Sequence, residues 1–489
     1  MPYGFNKRAI QVLNKSLFLP QIEFMTLIKS ISGIRGTIGG VQGNGLTPPD
    51  VVRFTAGYGV FIQKRNPGKK VRIVVGRDAR VSGFMVNQLV TGTLLGMGID
   101  VTDTGLSTTP TVEMAVTGLQ AQGGIILTAS HNPGHWNALK LLNENGEFLD
   151  VAEGAEVLRI AEEGDFSFSE VTGLGTYSND NTTIQKHIEK VLALPLVDKE
   201  AIAKAGLTLA IDCVNSTGGI AIPQLLKALG VKTVHELYCT PDGHFPHNPE
   251  PLPENLTALS DLVVNKKAKV GFAVDPDVDR LAIVCENGEM FGEEYTLVAV
   301  ADYVLQHTPG NTVSNLSSTR ALRDVTENRG GVYTASAVGE VNVVAKMKET
   351  NAVIGGEGNG GVIYPEIHYG RDALAGIALF LTHLVKSGKK CSQLRDTYPS
   401  YFISKNKITL EEGMDVDAII RQVEKNYAKQ PKITADGLKI EFGKEWVHLR
   451  KSNTEPIIRI YSESDSMAKA ETLARKIMND IGNIITGKE

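Results

Sequence analysis

Short apolar runs, each followed by a stretch of helical period, recur through most of this 489-residue chain, and that alternation restricts the fold to α/β layers. Val71-Arg72-Ile73-Val74-Val75-Gly76 reads as a strand, and residues 85–97 read as the helix that follows it. Residues 125–128 form the next strand. A second unit opens at 207–212 and closes at 271–275. A third holds a helix over 295–305 and strands at Thr312-Val313 and 352–355. After Gly388-Lys389-Lys390 the pattern changes to strands, a helix near 416–427, more strands and a terminal helix near 467–481. The spacing predicts three α/β units, residues 25–180, 181–285 and 286–392, and a smaller α+β unit at 393–489. No fixed-period sequence repeat is visible. Residues 1–24 carry Lys7, Arg8 and Lys15 but no continuous apolar stretch, and strong patterning starts after Met25. They are expected to be an extension outside the folded core, with Met25 a natural start; a transit peptide is the competing reading.

Composition narrows the function classes. Hydrophobic residues at 42% and charged residues at 21% predict a packed core rather than disorder. The net charge of −5, with no long basic tract, argues against a nucleic-acid partner while leaving a local pocket for small anions open. No apolar run reaches the ~18 residues that would suggest a membrane span. Cys213, Cys239, Cys285 and Cys391 are widely spaced with no CxxC pair, which fits a reducing cytoplasm.

Four segments carry chemistry. Thr128-Ala129-Ser130-His131-Asn132-Pro133 follows the apolar run 123–127, so Ser130 is expected at the ligand-facing edge of a sheet, as a candidate acceptor of a phosphoryl group. An ordinary Ser/Asn turn is the competing reading. Asp275-Pro276-Asp277-Val278-Asp279-Arg280 places carboxylates at alternate positions directly after a strand, where they repel one another unless a cation sits between them. Oxygen ligands suit Mg²⁺. A calcium loop is excluded, because Arg280 stands where that loop needs glycine and an apolar strand resumes at Leu281. The glycine-rich segment 355–361 contains Glu357 and Asn359, which can hydrogen-bond sugar hydroxyls; a flexible hairpin explains it equally well. Arg450-Lys451-Ser452-Asn453-Thr454-Glu455-Pro456, with Arg459 beyond it, offers a phosphate cradle or a charged turn between strands.

In order and spacing, from about Ile28 to the C-terminus, these segments resemble the α-D-phosphohexomutases. Thr128 to Pro133 is similar to that family's phosphoserine loop, Asp275 to Arg280 to its metal loop, Gly356 to Gly360 to its sugar loop, and Arg450 to Pro456 to its phosphate loop. The resemblance implies three related α/β domains and a smaller C-terminal domain around a central cleft. It also implies that Ser130 carries the phosphoryl group and that Asp275, Asp277 and Asp279 hold Mg²⁺ together with the Ser130 phosphate. On this resemblance Ser130 phosphorylates a sugar phosphate to a sugar 1,6-bisphosphate, which turns end for end and returns its other phosphate. Arg280 neutralises the transferring group, Lys140 is a general acid or base, and His131 acts directly or steadies its loop through Asn132. Arg35, in Gly33-Ile34-Arg35-Gly36, resembles the family's N-terminal arginine loop and is expected near the phosphoserine. Arg371 resembles the segment closing the third domain's loop, and Arg450, Ser452, Asn453, Thr454 and Arg459 bind the idle phosphate. His244 and His247 are expected to be structural.

Ala138, Asn359, Gly361 and Glu340 depart from the commonest family pattern. The form Gly-Glu-Gly-Asn-Gly-Gly, with Tyr369-Gly370-Arg371-Asp372 behind it, resembles the phosphoglucosamine mutase branch; a phosphoglucomutase/phosphomannomutase of broad hexose specificity is the alternative. A sugar-phosphate sensor and a Mg²⁺-dependent phosphatase are the competing classes. The first is disfavoured by the intact Ser130 and aspartates, the second by a phosphate clamp that simple hydrolysis does not need. The chain is expected to act in the cytoplasm, as a monomer or homodimer, on a small sugar phosphate.

Overall fold

The computed structural model describes residues 25–30, 33–411, 413–452 and 457–487. The N-terminal extension expected at 1–24, and Asn453 and Thr454 of the expected phosphate loop, lie outside the described residues.

Three of the four sheets share one plan. In the first, Asp100–Leu106, Arg72–Arg77 and Gly123–Leu127 lie parallel in that spatial order, and Trp136–Leu142 returns antiparallel beside Gly123–Leu127. The second repeats it with Thr233–Leu237, Thr208–Asp212 and Val270–Val274, then Leu281–Cys285 antiparallel. The third repeats it with Tyr333–Ser336, Asn311–Asn315 and Ala352–Glu357, then Gly361–Ile363 antiparallel. Each time, the turn from the last parallel strand into the antiparallel one carries a chemistry-bearing segment: Ser130, the three aspartates, or Asn359. Such turns sit at the carboxyl ends of parallel strands, where α/β sheets bind ligands. The repeat escapes the sequence because strand burial constrains only hydrophobicity, and many apolar sequences satisfy it.

Two expectations are corrected here. The segment 33–36 is not a loop; it belongs to strand Gly33–Thr37, which pairs antiparallel with Trp136–Leu142 and, with Ile28–Ser30 beside it and Tyr177–Asn179 at the far edge, makes the first sheet seven-stranded. The glycine-rich loop is also shorter than its glycines suggest, since strands run through Glu357 and restart at Gly361. It is a tight hairpin as well as a ligand-facing turn.

The fourth sheet is five-stranded and wholly antiparallel, with helices Val416–Asn426 and Met467–Thr486 contributing to its core. The largest apolar core runs without a break from Ile184 to Tyr401, so the second and third units pack as one body. Helix Ala373–Ser387, mostly buried, lies within it, as a helix hydrophobic on nearly every face must.

A buried polar chain pins the first three units together. Thr111 meets His187 Nδ1 at 2.9 Å, and His187 Nε2 meets Asp372 at 2.8 Å. Asp372 also faces His368 at 3.3 Å, whose other ring nitrogen lies 3.3 Å from Glu113. The second oxygen of Asp372 caps helix Ala373–Ser387 by accepting from the backbone of Leu374 and Ala375. Burial opposes a charge on His368, but Asp372 and Glu113 outweigh it and push its pKa up to about 10. Among the described residues, no helix is long and apolar enough to cross a membrane.

Candidate active site

Ser130 adopts a left-handed backbone conformation, φ 50°, an uncommon state for serine that the surrounding loop must enforce. Arg80 does so. Wholly buried and paired with Asp78 at 2.9 Å, it donates to the carbonyls of Ser130, Asn132 (2.7 Å), Pro133 (2.7 Å) and Trp136 (3.1 Å). Thr128 bridges Asp78 and the Ser130 amide at 2.7 and 2.9 Å. Arg80 was not among the expected residues. The available signal was Gly76-Arg77-Asp78-Ala79-Arg80, charged residues directly after the strand beside the serine strand.

Arg35, expected near the phosphoserine, has a charged neighbour in the fourth unit. Its guanidinium is partly buried, and burial followed by the charge of Arg459 lowers its pKa, which places it beside the fourth unit's arginine. Gly33 sits against the backbone of Leu139 and Lys140.

The second turn supplies the aspartates. Asp275, Asp277 and Asp279 are each fully buried, with carboxylate oxygens within 4.8 Å of one another. Val278 between them takes φ 62°, strained for a β-branched residue. Asp275 accepts at 2.7 Å from Ser130 Oγ, and Asp277 accepts from Lys140 at 2.8 Å and Thr109 at 2.6 Å. Asp279 receives Arg371 at 2.7 Å. Burial, then Asp279 and Asp277, push the Asp275 carboxyl well above its ordinary range. Burial would raise Asp277 too, but Lys140 holds it low. Asp277 Oδ1 and Asp279 Oδ1 are buried without any hydrogen-bond partner. Orphaned oxygens beside a serine hydroxyl fit a hard divalent cation with room for a phosphate oxygen.

Three basic or amphoteric groups surround this centre. Lys140 lies on strand Trp136–Leu142; burial works against its charge, yet Asp277 and Asp279 keep it an ammonium. His131 Nδ1 is 3.3 Å from Ser130 Oγ, and burial plus the charges of Arg280 and Arg371 push its pKa down to about 2, so it is a neutral imidazole. Asn132 closes its own turn onto Ala129 (2.8 Å) and does not hold His131. Arg280 Nη1 reaches Glu250 at 3.5 Å.

The third turn brings Glu357 and Asn359 into the same cleft. Glu357 accepts from Arg371 (2.8 Å), Asn315 (2.9 Å) and the Gly339 amide (3.1 Å). Arg371 also contacts Glu340 at 3.0 Å through both Nε and its backbone amide, so Glu340 is a partner of Arg371. Arg371 thereby ties the aspartate turn to the glycine turn.

Arg450 and Arg459 come from neighbouring strands of the fourth sheet and stand directly opposite each other. Asp436 pairs with Arg450 at 2.8 Å. With Glu250, Arg280, Glu357 and Asn359 they line a cavity of about 230 Å³. Ser452 lies just beyond, its amide bonded to the Ile457 carbonyl at 3.1 Å. A larger cavity of about 630 Å³, beside His307 and His383, contains none of these turns. His247 pairs with Asp212 at 3.1 Å and braces its loop; His244 is exposed. Neither belongs to the group.

Comparison with known proteins gives a consistent picture. Descriptions of the phosphoglucomutase/phosphomannomutase family match in chain order: alpha/beta/alpha domain I at residues 27–168, domain II at 185–288, domain III at 292–401 and the C-terminal domain at 407–480. A phosphoglucomutase/phosphomannomutase of Thermococcus kodakarensis is 37% identical over 441 residues, 89% of this chain and 95% of that protein. A phosphoglucosamine/phosphogalactosamine mutase of Sulfurisphaera tokodaii is 31% identical over 464 residues, 93% and 98% of the two chains. The crystal structure of a phosphoglucomutase/phosphomannomutase family protein from Burkholderia thailandensis superposes with a TM-score of 0.81 at 25% identity, covering 96% of this chain and 98% of that one.

Proposed function

The chain belongs to the phosphoglucomutase/phosphomannomutase family and is a hexose-phosphate mutase, and from that premise we propose that it interconverts glucosamine 6-phosphate and glucosamine 1-phosphate through a phosphoserine at Ser130. The observation carrying this reading is the Ser130 hydroxyl seated 2.7 Å from Asp275 of the aspartate turn, whose Arg280 lines the same cavity as Arg450 and Arg459.

In the first half-reaction the Ser130 Oγ–P bond breaks as a sugar hydroxyl forms its own bond to phosphorus; the sugar oxygen loses a proton and Ser130 Oγ gains one. The second half-reaction runs this in reverse at the other end of a sugar 1,6-bisphosphate, so no proton is consumed overall. Lys140, held charged beside Asp277, would supply and recover the proton at Ser130. His131, being neutral, can meet Ser130 Oγ through Nδ1 without repelling the cations around it. Arg280 faces the cleft and offsets charge on the transferring group. Asp275, Asp277 and Asp279 would hold Mg²⁺, which when bound screens the phosphoryl oxygens. Glu357 and Asn359 would grip sugar hydroxyls, and Arg450, Arg459, Ser452 and Arg35 the idle phosphate. Because phosphate and hydroxyl ends exchange places, that grip rests on charge rather than on a fitted shape. The four cysteines are free thiols, in keeping with a cytoplasmic setting.

A broad hexose mutase is the second reading, favoured by the 37% identity to a phosphoglucomutase/phosphomannomutase. Glucosamine, glucose and mannose 6-phosphates, each supplied with Mg²⁺ and a trace of bisphosphate and followed by ³¹P NMR, separate the two. A kcat/KM preference of about tenfold for the amino sugar, about 1.4 kcal/mol, is expected. Equal or better turnover of glucose or mannose phosphate selects the second reading. Release of inorganic phosphate in place of a 1-phosphate sinks the mutase mechanism.

A further inference from the structure

Glu250 stands in the cleft with less to do than any other carboxylate there. It belongs to none of the four turns. It arrives on the segment 238–252 between strand Thr233–Leu237 and the turn at Pro253–Asn255, flanked by Pro249 and Pro251. That segment is anchored: His247 pairs with Asp212 at 3.1 Å, and Asn255 donates to the Glu250 carbonyl at 2.8 Å. The side chain remains a third exposed, 3.5 Å from Arg280 and 4.0 Å from His131 Nε2.

The other cleft carboxylates are taken. Glu357 has three donors, Glu293 pairs with Lys405 at 3.1 Å, and half-buried Glu294 sits behind Gly358 with the Thr319 amide at 2.8 Å. A partly free carboxylate in a cleft that must hold a phosphate weakens binding unless the ligand brings a positive charge of its own. An amino sugar does so, through its ammonium at C2, one bond from the C1 end that reacts beside Ser130. We infer that Glu250 is the specificity-determining residue that recognises the protonated amino group of the substrate. This rests on the amino-sugar reading above. Glucose or mannose offers only a hydroxyl at the same place, and a site arranged for an ion pair discriminates against it.

The test measures kcat/KM for glucosamine 6-phosphate and glucose 6-phosphate with the full-length protein, its Glu250→Gln variant and its Glu250→Asp variant. Taking the ratio of the two sugars cancels any general effect of freeing Arg280. The expected result is a ratio favouring the amino sugar in the parent, at least about tenfold lower in Glu250→Gln and partly restored in Glu250→Asp, with the change carried mainly by KM. N-Acetylglucosamine 6-phosphate, which lacks the charge, should respond to Glu250→Gln as glucose phosphate does. A parent that prefers the amino sugar, with the ratio unchanged in Glu250→Gln, overturns the assignment of Glu250 alone. A parent with no such preference overturns the amino-sugar reading and this inference with it.

Discussion

Ser130 Oγ donates to Asp275 Oδ2 at 2.7 Å, so the hydroxyl is hydrogen-bonded to the group that a cation would otherwise engage. The arrangement is poised: three buried carboxylates share one turn, and Lys140, Arg371 and the serine proton are what offset them. A phosphoryl group on Ser130 removes that proton and adds negative charge, so it requires positive charge in return.

Ser130→Ala tests this centre most directly. The loop is held by Arg80 through carbonyls rather than through the serine side chain, so the fold should survive. Mutase activity should fall by at least about a thousandfold, the scale for an obligatory nucleophile. Intact-mass measurement should show an 80 Da adduct on the parent after incubation with bisphosphate and none on the variant. An adduct retained on the variant moves the phosphoryl site elsewhere.

Mg²⁺ should stabilise the protein through the same carboxylates. The buried oxygens of Asp277 and Asp279 that lack a hydrogen bond would gain a partner when a cation binds. At a hundred times its Kd the ion should add about 2.7 kcal/mol to stability, visible as an upward shift in Tm. Asp279→Asn should abolish most of that shift. An equal shift in both proteins places the ion elsewhere.

Much of this site was readable in advance because its chemistry sits in contiguous runs. Ser130 and the three aspartates each directly follow an apolar strand, and a strand's end fixes which way the next residues face. What escaped were single residues that reach the centre from other elements. Arg80 acts from beyond one strand on a loop 50 residues later, and Glu250 enters on a loop with no local signature of function. The short segment Gly33-Ile34-Arg35-Gly36 reads as a loop, whereas pairing with Trp136–Leu142 makes it a strand. Pairing partners distant in sequence are tertiary information, which local pattern does not carry.

Gly360 should resist substitution. It sits at φ 83°, and a Cβ there would come within 2.4 Å of the Leu281 carbonyl oxygen, whose strand follows the aspartate turn. Gly360→Ala should cost about 1–3 kcal/mol and push the hairpin away from that strand. KM for the sugar phosphate should rise more than kcat falls, since Glu357 and Asn359 shift while Ser130 stays. An unchanged KM contradicts a sugar-gripping role for this hairpin.

The histidine joint predicts an alkaline loss of stability. His368 is raised to about 10 in the fold, against about 6.5 when unfolded. Its contribution is therefore complete below about pH 6.5 and disappears as pH climbs through about 10. Asp372, held low by His187 and His368 against the effect of burial, adds stability that fails only in acid. Tm should thus fall between pH 7 and 9.5. His368→Gln should be less stable at pH 7 and show a smaller fall over that range; an identical fall assigns the titration to another group.

Arg450 and Arg459 supply the last prediction. Like charges directly opposite on a sheet repel, and the charge of Arg35 adds to the crowding at Arg459. Asp436 balances one guanidinium, on Arg450, and the remainder calls for an anion. Arg459→Met should therefore leave the ligand-free Tm unchanged or slightly higher, because it removes repulsion. It should also reduce the stabilisation that inorganic phosphate gives the parent. KM should rise for the 1-phosphate and the 6-phosphate alike, because each in turn presents its idle phosphate to the same arginines. Raising ionic strength should weaken substrate binding less in the variant than in the parent, one partly exposed charge having been removed. A variant that loses affinity for one isomer's idle phosphate and keeps it for the other, measured as Kd in the Ser130→Ala background where turnover is blocked, would show two separate phosphate sites and overturn the shared clamp.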